Sequence, residues 1–207
     1  MFAAMLVPVA RATTLSTVFT FTDGNCSASQ AASAGGCGTI SLTQDGNKVD
    51  VAVLLASGEG FIDTGDHTTF TFNVDWPSNP AIDVTNLSAG FSFPSTDGNP
   101  PFGTFSFGLT CLDVSGGCDT GGSVPLYNTP LNFTVGLHDG STLLVSDFNG
   151  NASGEYFAAD ILNQNISGNP TGAIGAHKPS LIPEPASLVL LGSGAIAGVL
   201  ARRRRKK

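Results

Sequence analysis

The most restrictive feature of this sequence is the regular alternation of apolar and polar residues that runs through most of its length. Between residues 49 and 53, for example, valine occupies every second position and is separated by Asp50 and Ala52. A period of two predicts β-strands that turn one face toward a core and the other toward solvent. No stretch before residue 183 has the 3.6-residue period of an amphipathic helix. This part of the chain is therefore predicted to be all-β.

Tight turns between the alternating runs predict antiparallel pairing. The Asp-Gly-Asn turn at Asp45–Asn47 is typical of a β-hairpin, because glycine readily adopts the positive φ of a tight reversal. The Asp-Gly turn at Asp139–Gly140 predicts a second hairpin, in which Leu143 and Val145 return along the preceding strand. The 14 phenylalanines supply most of the core volume. We predict one antiparallel β-sandwich over residues 13–162, and the pattern leaves a jelly roll and a Greek key open.

The alternation weakens in the last strand of the predicted sandwich and is lost in the segments on either side of it. Residues 156–162 predict a last, weaker strand, and residues 163–182 are rich in Gly, Asn and Pro, which predicts a flexible spacer. Residues 1–12 are apolar and end in Ala-Arg-Ala, the small-x-small form that precedes signal-peptide cleavage. They lack a basic N-region, so we interpret them as a partial signal peptide whose true start lies upstream.

The four cysteines fall into two local groups, and both groups favour an oxidising location. Three pairings are possible, and spacing favours the two local ones, Cys26 with Cys37 and Cys111 with Cys118. Closing loops of this size would stabilise the fold by roughly 2 to 3 kcal/mol each in the chain-entropy model. A zinc site is the rival interpretation, but neither group has the short spacing that zinc ligands use.

The charge distribution makes the predicted domain strongly acidic. Lys48 and Lys178 are the only two basic residues between residues 13 and 182, whereas every acidic residue except Glu184 lies there. Such a domain will not bind nucleic acid, because it has no cationic surface with which to displace counterions. An acidic surface can keep a protein soluble, or it can bind divalent cations.

Acidic turns are the candidates for cation binding. Carboxylate and amide oxygens lie close together in sequence at two turns, as Ca²⁺ requires, and the candidate ligands are Asp63, Asp66, Asp147 and Asn149. Neither turn has the EF-hand order, and the same residues are common in ordinary turns. Calcium is thus an open alternative, and no other cofactor is predicted.

Catalytic patterns are weak throughout the chain. The three histidines (His67, His138 and His177) have acidic or basic sequence neighbours, but neighbours on a strand point to opposite faces and do not form a dyad. His177 lies in the predicted spacer and is expected to be solvated. Glu59 and Glu155 could form a glycosidase pair only if folding brought them together. We therefore predict no catalytic residues and keep a secreted hydrolase as an alternative.

The C-terminal tail has the properties of a membrane anchor. Residues 186–201 carry no charge, and as a helix they would span about 24 Å, short of the roughly 30 Å hydrocarbon core. The basic run at residues 202–207 would stay in the cytoplasm, which orients the preceding domain outward. The sequence predicts a single transmembrane helix that inserts marginally.

The motif in front of this helix carries a specific resemblance. The tail consists of the tripeptide Pro183-Glu184-Pro185, the apolar helix and a stop-transfer run of Arg202, Arg203, Arg204 and Arg205, in that order. This order resembles the PEP-CTERM sorting signal of Gram-negative bacteria that make extracellular polysaccharide. The resemblance covers residues 183–207 and implies that exosortase, a membrane-embedded cysteine peptidase, recognises the tripeptide and processes the tail. It implies nothing about the fold of the domain.

Together these features predict an exported protein of the envelope or extracellular matrix. It would cross the inner membrane through the Sec translocon, stay anchored briefly by its C-terminal helix, and then be processed by exosortase. The predicted role is structural or interactive, with extracellular polysaccharide as a partner. The alternative is a carbohydrate-binding module assisted by Ca²⁺.

Overall fold

The structure is a computed structural model in which most of the chain before residue 179 is described. The described residues are 15–33, 35–64, 68–75, 81–95, 101–112, 130–168 and 171–178. They form twelve β-strands, one short α-helix and one 3₁₀ turn at Val145–Asp147. In chain order the elements are β1 (Ser16–Thr20), β2 (Asp23–Gly24), α1 (Ala28–Ala31), β3 (Gly38–Asp45), β4 (Lys48–Leu55), β5 (Glu59–Phe61), β6 (Phe70–Phe72), β7 (Ile82–Thr85), β8 (Phe91–Ser95), β9 (Phe107–Cys111), β10 (Leu131–Leu137), β11 (Glu155–Asn163) and β12 (Thr171–His177).

The strands form two antiparallel sheets, which confirms the all-β prediction. The first sheet has the order β1-β3-β4-β10-β7. The second has the order β2-β12-β11-β6-β9-β8, and β5 pairs with the part of β11 beyond β6. All strand pairs in the two sheets are antiparallel. A short turn imposes this direction on β3 and β4, whereas most other pairs join segments that are distant in sequence.

The core lies between the two sheets, and phenylalanine rings packed among aliphatic side chains connect them. Phe133 on β10 lies 5.9 Å from Phe70 and 5.6 Å from Phe72, both on β6, measured between ring centroids. Phe19 on β1 makes an edge-on contact of 4.9 Å with Phe157 on β11. Because these pairs join residues of opposite sheets, one hydrophobic cluster holds the sheets face to face.

The first predicted hairpin is confirmed. β3 and β4 pair along their full length, with Asp45 opposite Lys48, and the two-residue turn between them contains Gly46 at a φ of 58°. Buried and exposed residues alternate strictly along β4 after its first residue. The valines at every second position therefore all point into the core, as the period predicted.

The second predicted hairpin is wrong. Leu143 and Val145 do not return along β10, whose two edges are already occupied by β4 and β7. Leu143 instead donates its N–H to the carbonyl of Asn47, and the Gln44 side chain bonds the Leu143 carbonyl and the Val145 N–H. Their apolar side chains close the end of the core, which is why they looked like strand residues.

The predicted spacer at residues 163–182 is also wrong for Thr171–His177. These residues form β12, which lies between β11 and β2 in the second sheet. The strand contains small residues, including Ala173 and Ala176, and both of its faces are covered. A strand buried on both faces does not alternate, so the pattern that identified the other strands missed it. The folded domain accordingly continues past residue 162.

Similarly, β11 is a central strand rather than a weak last one. It is the nine-residue strand that pairs with β12 on one edge and with β6 and β5 on the other. Its inner face joins the main core, and its outer face packs under a second small cluster formed by Phe102, Phe105, Ala158 and Ala173. The segment that carries Phe102 and Phe105 thus covers the outside of the second sheet.

Candidate functional site

A carboxylate–histidine cluster lies at one end of the second sheet, where β2, β12 and β11 run side by side. Glu155 is the first residue of β11, and its ladder partner is His177, the last residue of β12. Asp23 in β2 pairs with Gly175 of the same strand. Strand pairing therefore brings together three residues that are far apart in sequence. We call Asp23, Glu155 and His177 the carboxylate–histidine cluster.

The imidazole of His177 contacts both carboxylates through one nitrogen. Its Nε2 lies 3.1 Å from Oδ2 of Asp23 and 3.2 Å from Oε1 of Glu155. Its Nδ1 lies 3.4 Å from the carbonyl oxygen of Gly154. The Thr22 hydroxyl donates to Oδ2 of Asp23 at 3.2 Å. One ligand atom from each residue of the cluster falls within 4.8 Å of the others, a spacing at which they could hold a metal ion.

Glu155 is the buried member of the cluster. Its side chain is only 4% exposed, whereas those of His177 and Asp23 are 53% and 40% exposed. Oε2 of Glu155 is buried and makes no hydrogen bond within the described residues. Burial raises the pKa of Glu155; the charge of His177 opposes this shift, and that of Asp23 adds to it. Desolvation dominates because the Phe102 ring and the backbone of Gly175 lie close to this carboxylate.

The sequence interpretation missed this cluster. The prediction that His177 lies in a spacer is wrong, because β12 holds its ring against the two carboxylates. Its predicted contact with solvent is confirmed, since 53% of the side chain is exposed. No spacing rule connects residues 23, 155 and 177. The only sequence signal was the presence of acids and a histidine in a chain with few catalytic residue types.

The two candidate glycosidase carboxylates are not brought together. Glu59 pairs with Asn163 at the far end of the nine-residue strand that Glu155 begins. At about 3.3 Å per residue this separates them by roughly 25 Å. Glycosidase pairs require about 5 to 9.5 Å. Glu59 and Glu155 therefore cannot act as one pair on a single glycosidic bond.

Glu59 belongs instead to a buried polar network. Its Oε1 accepts hydrogen bonds from the side-chain amides of Gln30 and Asn165, and Asn163 donates to Oε1 of Gln30 at 3.2 Å. Ser27 and Gln30 form a capping box on α1, so the network ties this short helix to β5 and β11. Burial raises the pKa of Glu59, and the two amide donors partly oppose the shift. Oε2 of Glu59 has no hydrogen-bond partner in the described part of the chain.

His138 pairs with a neighbouring strand rather than with its sequence neighbour. Its Nδ1 lies 3.1 Å from Oδ1 of Asp83, and both side chains are exposed. Asp139 accepts the N–H of Ser141 at 2.9 Å and so caps its own turn. The hydrogen bond with Asp83 is the main reason that the pKa of His138 is raised. His67 lies outside the described residues.

The calcium candidates divide between two places. Oδ2 of Asp147 accepts the N–H of Leu144 at 2.8 Å, which is a turn-capping role. Asn149 lines an open cleft of about 390 Å³, and its buried Oδ1 has no hydrogen-bond partner among the described residues. Asp63 lies in the described segment after β5, and Asp66 lies outside the described residues. A calcium site at either turn stays a prediction.

Two of the four cysteines form a disulfide within the described residues. Cys26 and Cys37 are joined, with their Cα atoms 5.7 Å apart. This bond links the start of α1 to the segment that leads into β3, beside the Glu59 network. Cys111 is also disulfide-bonded. Cys118 lies outside the described residues, so the second local pairing stays a prediction.

The comparison with known families gives the class of protein. Residues 181–206 match the PEP-CTERM protein-sorting motif. This confirms the resemblance carried by Pro183–Pro185 and the basic run. No curated protein and no solved structure has significant similarity to this chain. The chain thus combines an all-β fold, in its described residues, with a C-terminal PEP-CTERM sorting motif. The motif marks the protein for export to the cell envelope or surface, with exosortase as the processing enzyme.

The sorting tail itself lies outside the described residues. This applies to the tripeptide, to the predicted helix at residues 186–201 and to Arg202–Arg205, as it does to the predicted signal peptide at residues 1–12. Within the part of the chain that is described, no helix is long and apolar enough to cross a membrane.

Proposed function

We propose that this protein is a structural or interaction component of the cell envelope or exopolysaccharide matrix, released there after exosortase processes its tail. The observation that carries the proposal is the sorting motif at residues 181–206. Tails of this kind serve to deliver the domain in front of them. The function of the protein would accordingly reside in what the β-domain contacts outside the cell.

The proposed route follows from the physical properties of the tail. The chain crosses the inner membrane through the Sec translocon until residues 186–201 enter the bilayer. Six consecutive basic residues, 202–207, resist translocation and remain inside. The helix spans only about 24 Å, so Pro183–Pro185 would sit close to the outer face of the membrane. The anchor is temporary because exosortase processes the tail there.

The properties of the domain are compatible with this destination. The Cys26–Cys37 disulfide persists in an oxidising exterior and would be reduced in a bacterial cytoplasm. The acidic composition keeps a released domain soluble and discourages nonspecific adhesion to polyanions. The inward-facing apolar side chains of both sheets form one core, which supports a domain that stays folded after release.

The test is the intact mass of the protein from a PEP-CTERM host with and without its exosortase. We expect a released form truncated near Pro185 only when exosortase is present. Glu184→Gln should retain the protein in the membrane fraction, and Asp139→Asn, an exposed turn substitution, should leave release unchanged. Release of a chain that still carries Lys207, or equal release without exosortase, would contradict the proposal.

A second candidate function is binding of carbohydrate, favoured by the cleft at Asn149. The cleft is lined mainly by polar groups, including Asn73, Asp75, Ser106 and Asn149. Amide and carboxylate groups suit the hydroxyls of a sugar, and Ca²⁺ could bridge an acidic polysaccharide to the acidic domain. Pull-down with matrix polysaccharide, with and without Ca²⁺, tests this function. Binding should fall in Asn149→Ala and persist in Asn132→Ala, whose side chain lies on an exposed position of the first sheet.

A further inference from the structure

We propose that the carboxylate–histidine cluster of Asp23, Glu155 and His177 binds a divalent transition-metal ion such as Zn²⁺. This inference goes beyond the sorting function and does not depend on it. The three ligands come from three neighbouring strands, so the bound ion would join the edge strand β2 to β12 and β11. The cluster provides one nitrogen and two carboxylate oxygens, which are ligands that Zn²⁺ accepts.

The spacing of the ligand atoms fits coordination to one ion. Adjacent ligands of a tetrahedral Zn²⁺ with bonds of about 2.0 to 2.1 Å lie about 3.3 Å apart. Nε2 of His177 lies 3.1 Å from Oδ2 of Asp23 and 3.2 Å from Oε1 of Glu155. Small side-chain adjustments would admit the ion, with no rearrangement of the strands.

The surroundings of the His177 ring provide an acceptor for its second nitrogen when the first binds a metal ion. Nδ1 faces the carbonyl oxygen of Gly154 at 3.4 Å, and a carbonyl can only accept a hydrogen bond. Without a metal ion, the carboxylate oxygens at 3.1 and 3.2 Å would hold a proton on Nε2. With a metal ion bound to Nε2, the ring proton belongs on Nδ1, where the Gly154 carbonyl can accept it. Metal-binding histidines commonly donate their second N–H to a backbone carbonyl in this way.

Glu155 provides the second, independent indication of a ligand. Its side chain is 4% exposed, and Oε2 has no hydrogen-bond partner within the described residues. A buried carboxylate with an unused oxygen is costly unless a cation compensates it. An imidazolium at His177 would contact Oε1 only, whereas a metal ion beside this carboxylate could draw on both oxygens. This carboxylate lies so close to Gly175 that a Cβ at that position would come within 2.9 Å of Oε2.

The partial exposure of the other two ligands makes the site accessible. The side chains of His177 and Asp23 are 53% and 40% exposed, so an ion can enter from solvent. Three protein ligands leave a fourth tetrahedral position for water or for an oxygen ligand. The Thr22 hydroxyl donates to Oδ2 of Asp23 and orients this carboxylate from the outside.

The experiment is calorimetric titration of ZnCl₂ into the full chain, purified in mild detergent without reductant so that the cysteines stay in disulfides. We expect one Zn²⁺ per chain at the cluster. His177→Gln and Glu155→Gln should weaken binding at least tenfold. His138→Gln is the matched control, because His138 also pairs with an aspartate but has no buried glutamate beside it. Absorption of bound Co²⁺ in the visible range reports the coordination geometry.

His177→Gln is the decisive variant, because its half-exposed side chain can change without unfolding the domain. Circular dichroism establishes whether Glu155→Gln is folded. Absence of Zn²⁺ binding by the unsubstituted chain would overturn the proposal and leave a histidinium bridge between two carboxylates. Binding that survives His177→Gln, or that falls equally in His138→Gln, would overturn it too. Binding of Ca²⁺ at the cluster without Zn²⁺ would exclude a transition-metal site.

Discussion

Gly175 lies so close to the carboxylate of Glu155 that a side chain at position 175 would collide with it. A Cβ built on Gly175 would lie 2.9 Å from Oε2 of Glu155 and 2.7 Å from the ring of Phe102. These distances are shorter than real Cβ atoms accept, and both neighbours are buried. Glu155 can therefore be buried at the start of β11 only because position 175 of β12 carries no side chain.

Gly175→Ala should destabilise the domain. The added methyl group must displace either the carboxylate or the ring, and overpacking of this kind costs about 1 to 3 kcal/mol. Chemical denaturation measures the loss in the free energy of unfolding. Gly35→Ala is the control, because no heavy atom of the described residues, its chain neighbours aside, lies within 4 Å of a Cβ placed there. The control should stay within about 0.5 kcal/mol of the parent. Equal effects of the two substitutions would contradict the packing argument.

Glu59→Gln should remove a pH-dependent loss of stability. Burial raises the pKa of Glu59, so the folded chain holds this proton at a pH where the unfolded chain has released it. The free energy of unfolding therefore begins to decrease as pH rises above about 4.5, the ordinary pKa of a glutamate. The decrease ends once the pH has passed the raised pKa of Glu59, and the free energy is constant at higher pH. Glutamine keeps an oxygen to accept from Gln30 and Asn165 but carries no charge.

The measurement for Glu59 is a series of denaturation curves from pH 4 to pH 8. The free energy of unfolding of Glu59→Gln should increasingly exceed that of the parent as pH rises through this window, and the difference should then remain constant. Asp45→Asn removes a charge from the exposed end of β3 and controls for net charge. An advantage that is independent of pH, or one that shrinks as pH rises, would show that desolvation does not govern Glu59.

Asp83→Asn should lower the pKa of His138. The hydrogen bond and the charge of Asp83 both stabilise the imidazolium, and Asp139 contributes less. The stabilisation that this pair provides is complete below about 6.5, the ordinary pKa, and is lost as pH rises through the raised value. NMR titration of the histidine ring protons measures the pKa directly. Asp139→Asn should produce the smaller change, and the reverse order would contradict the cross-strand pairing.

Replacing Cys26 and Cys37 together by alanine should destabilise the domain by about 2 to 4 kcal/mol. The cysteines are separated by 11 positions, and the disulfide limits the freedom of this segment in the unfolded chain. Denaturation without reductant measures the difference. Addition of reductant should destabilise the parent more than the double variant, because only the parent has this bond to lose. Equal sensitivity to reductant would contradict a stabilising role for the disulfide.

The elements that were predictable are those with one buried and one exposed face. Strand β4 alternates because every second residue, including all three valines, enters the core. The Asp45–Asn47 turn supplies the glycine that a tight reversal needs. The sorting motif was equally readable, because a recognition tripeptide, an apolar helix and a basic end are contiguous in sequence. Local order along the chain is enough to identify such features.

The sequence by itself thus determined the all-β class, one tight hairpin and the sorting tail of this protein. The tertiary structure decided that residues 171–177 are a strand in the second sheet, that Glu59 and Glu155 are far apart, and that Glu155 meets Asp23 and His177. The reason is physical. Periodicity reports the environment of each residue along one strand, whereas contacts across strands depend on register and sheet order, which arise only when distant segments pair.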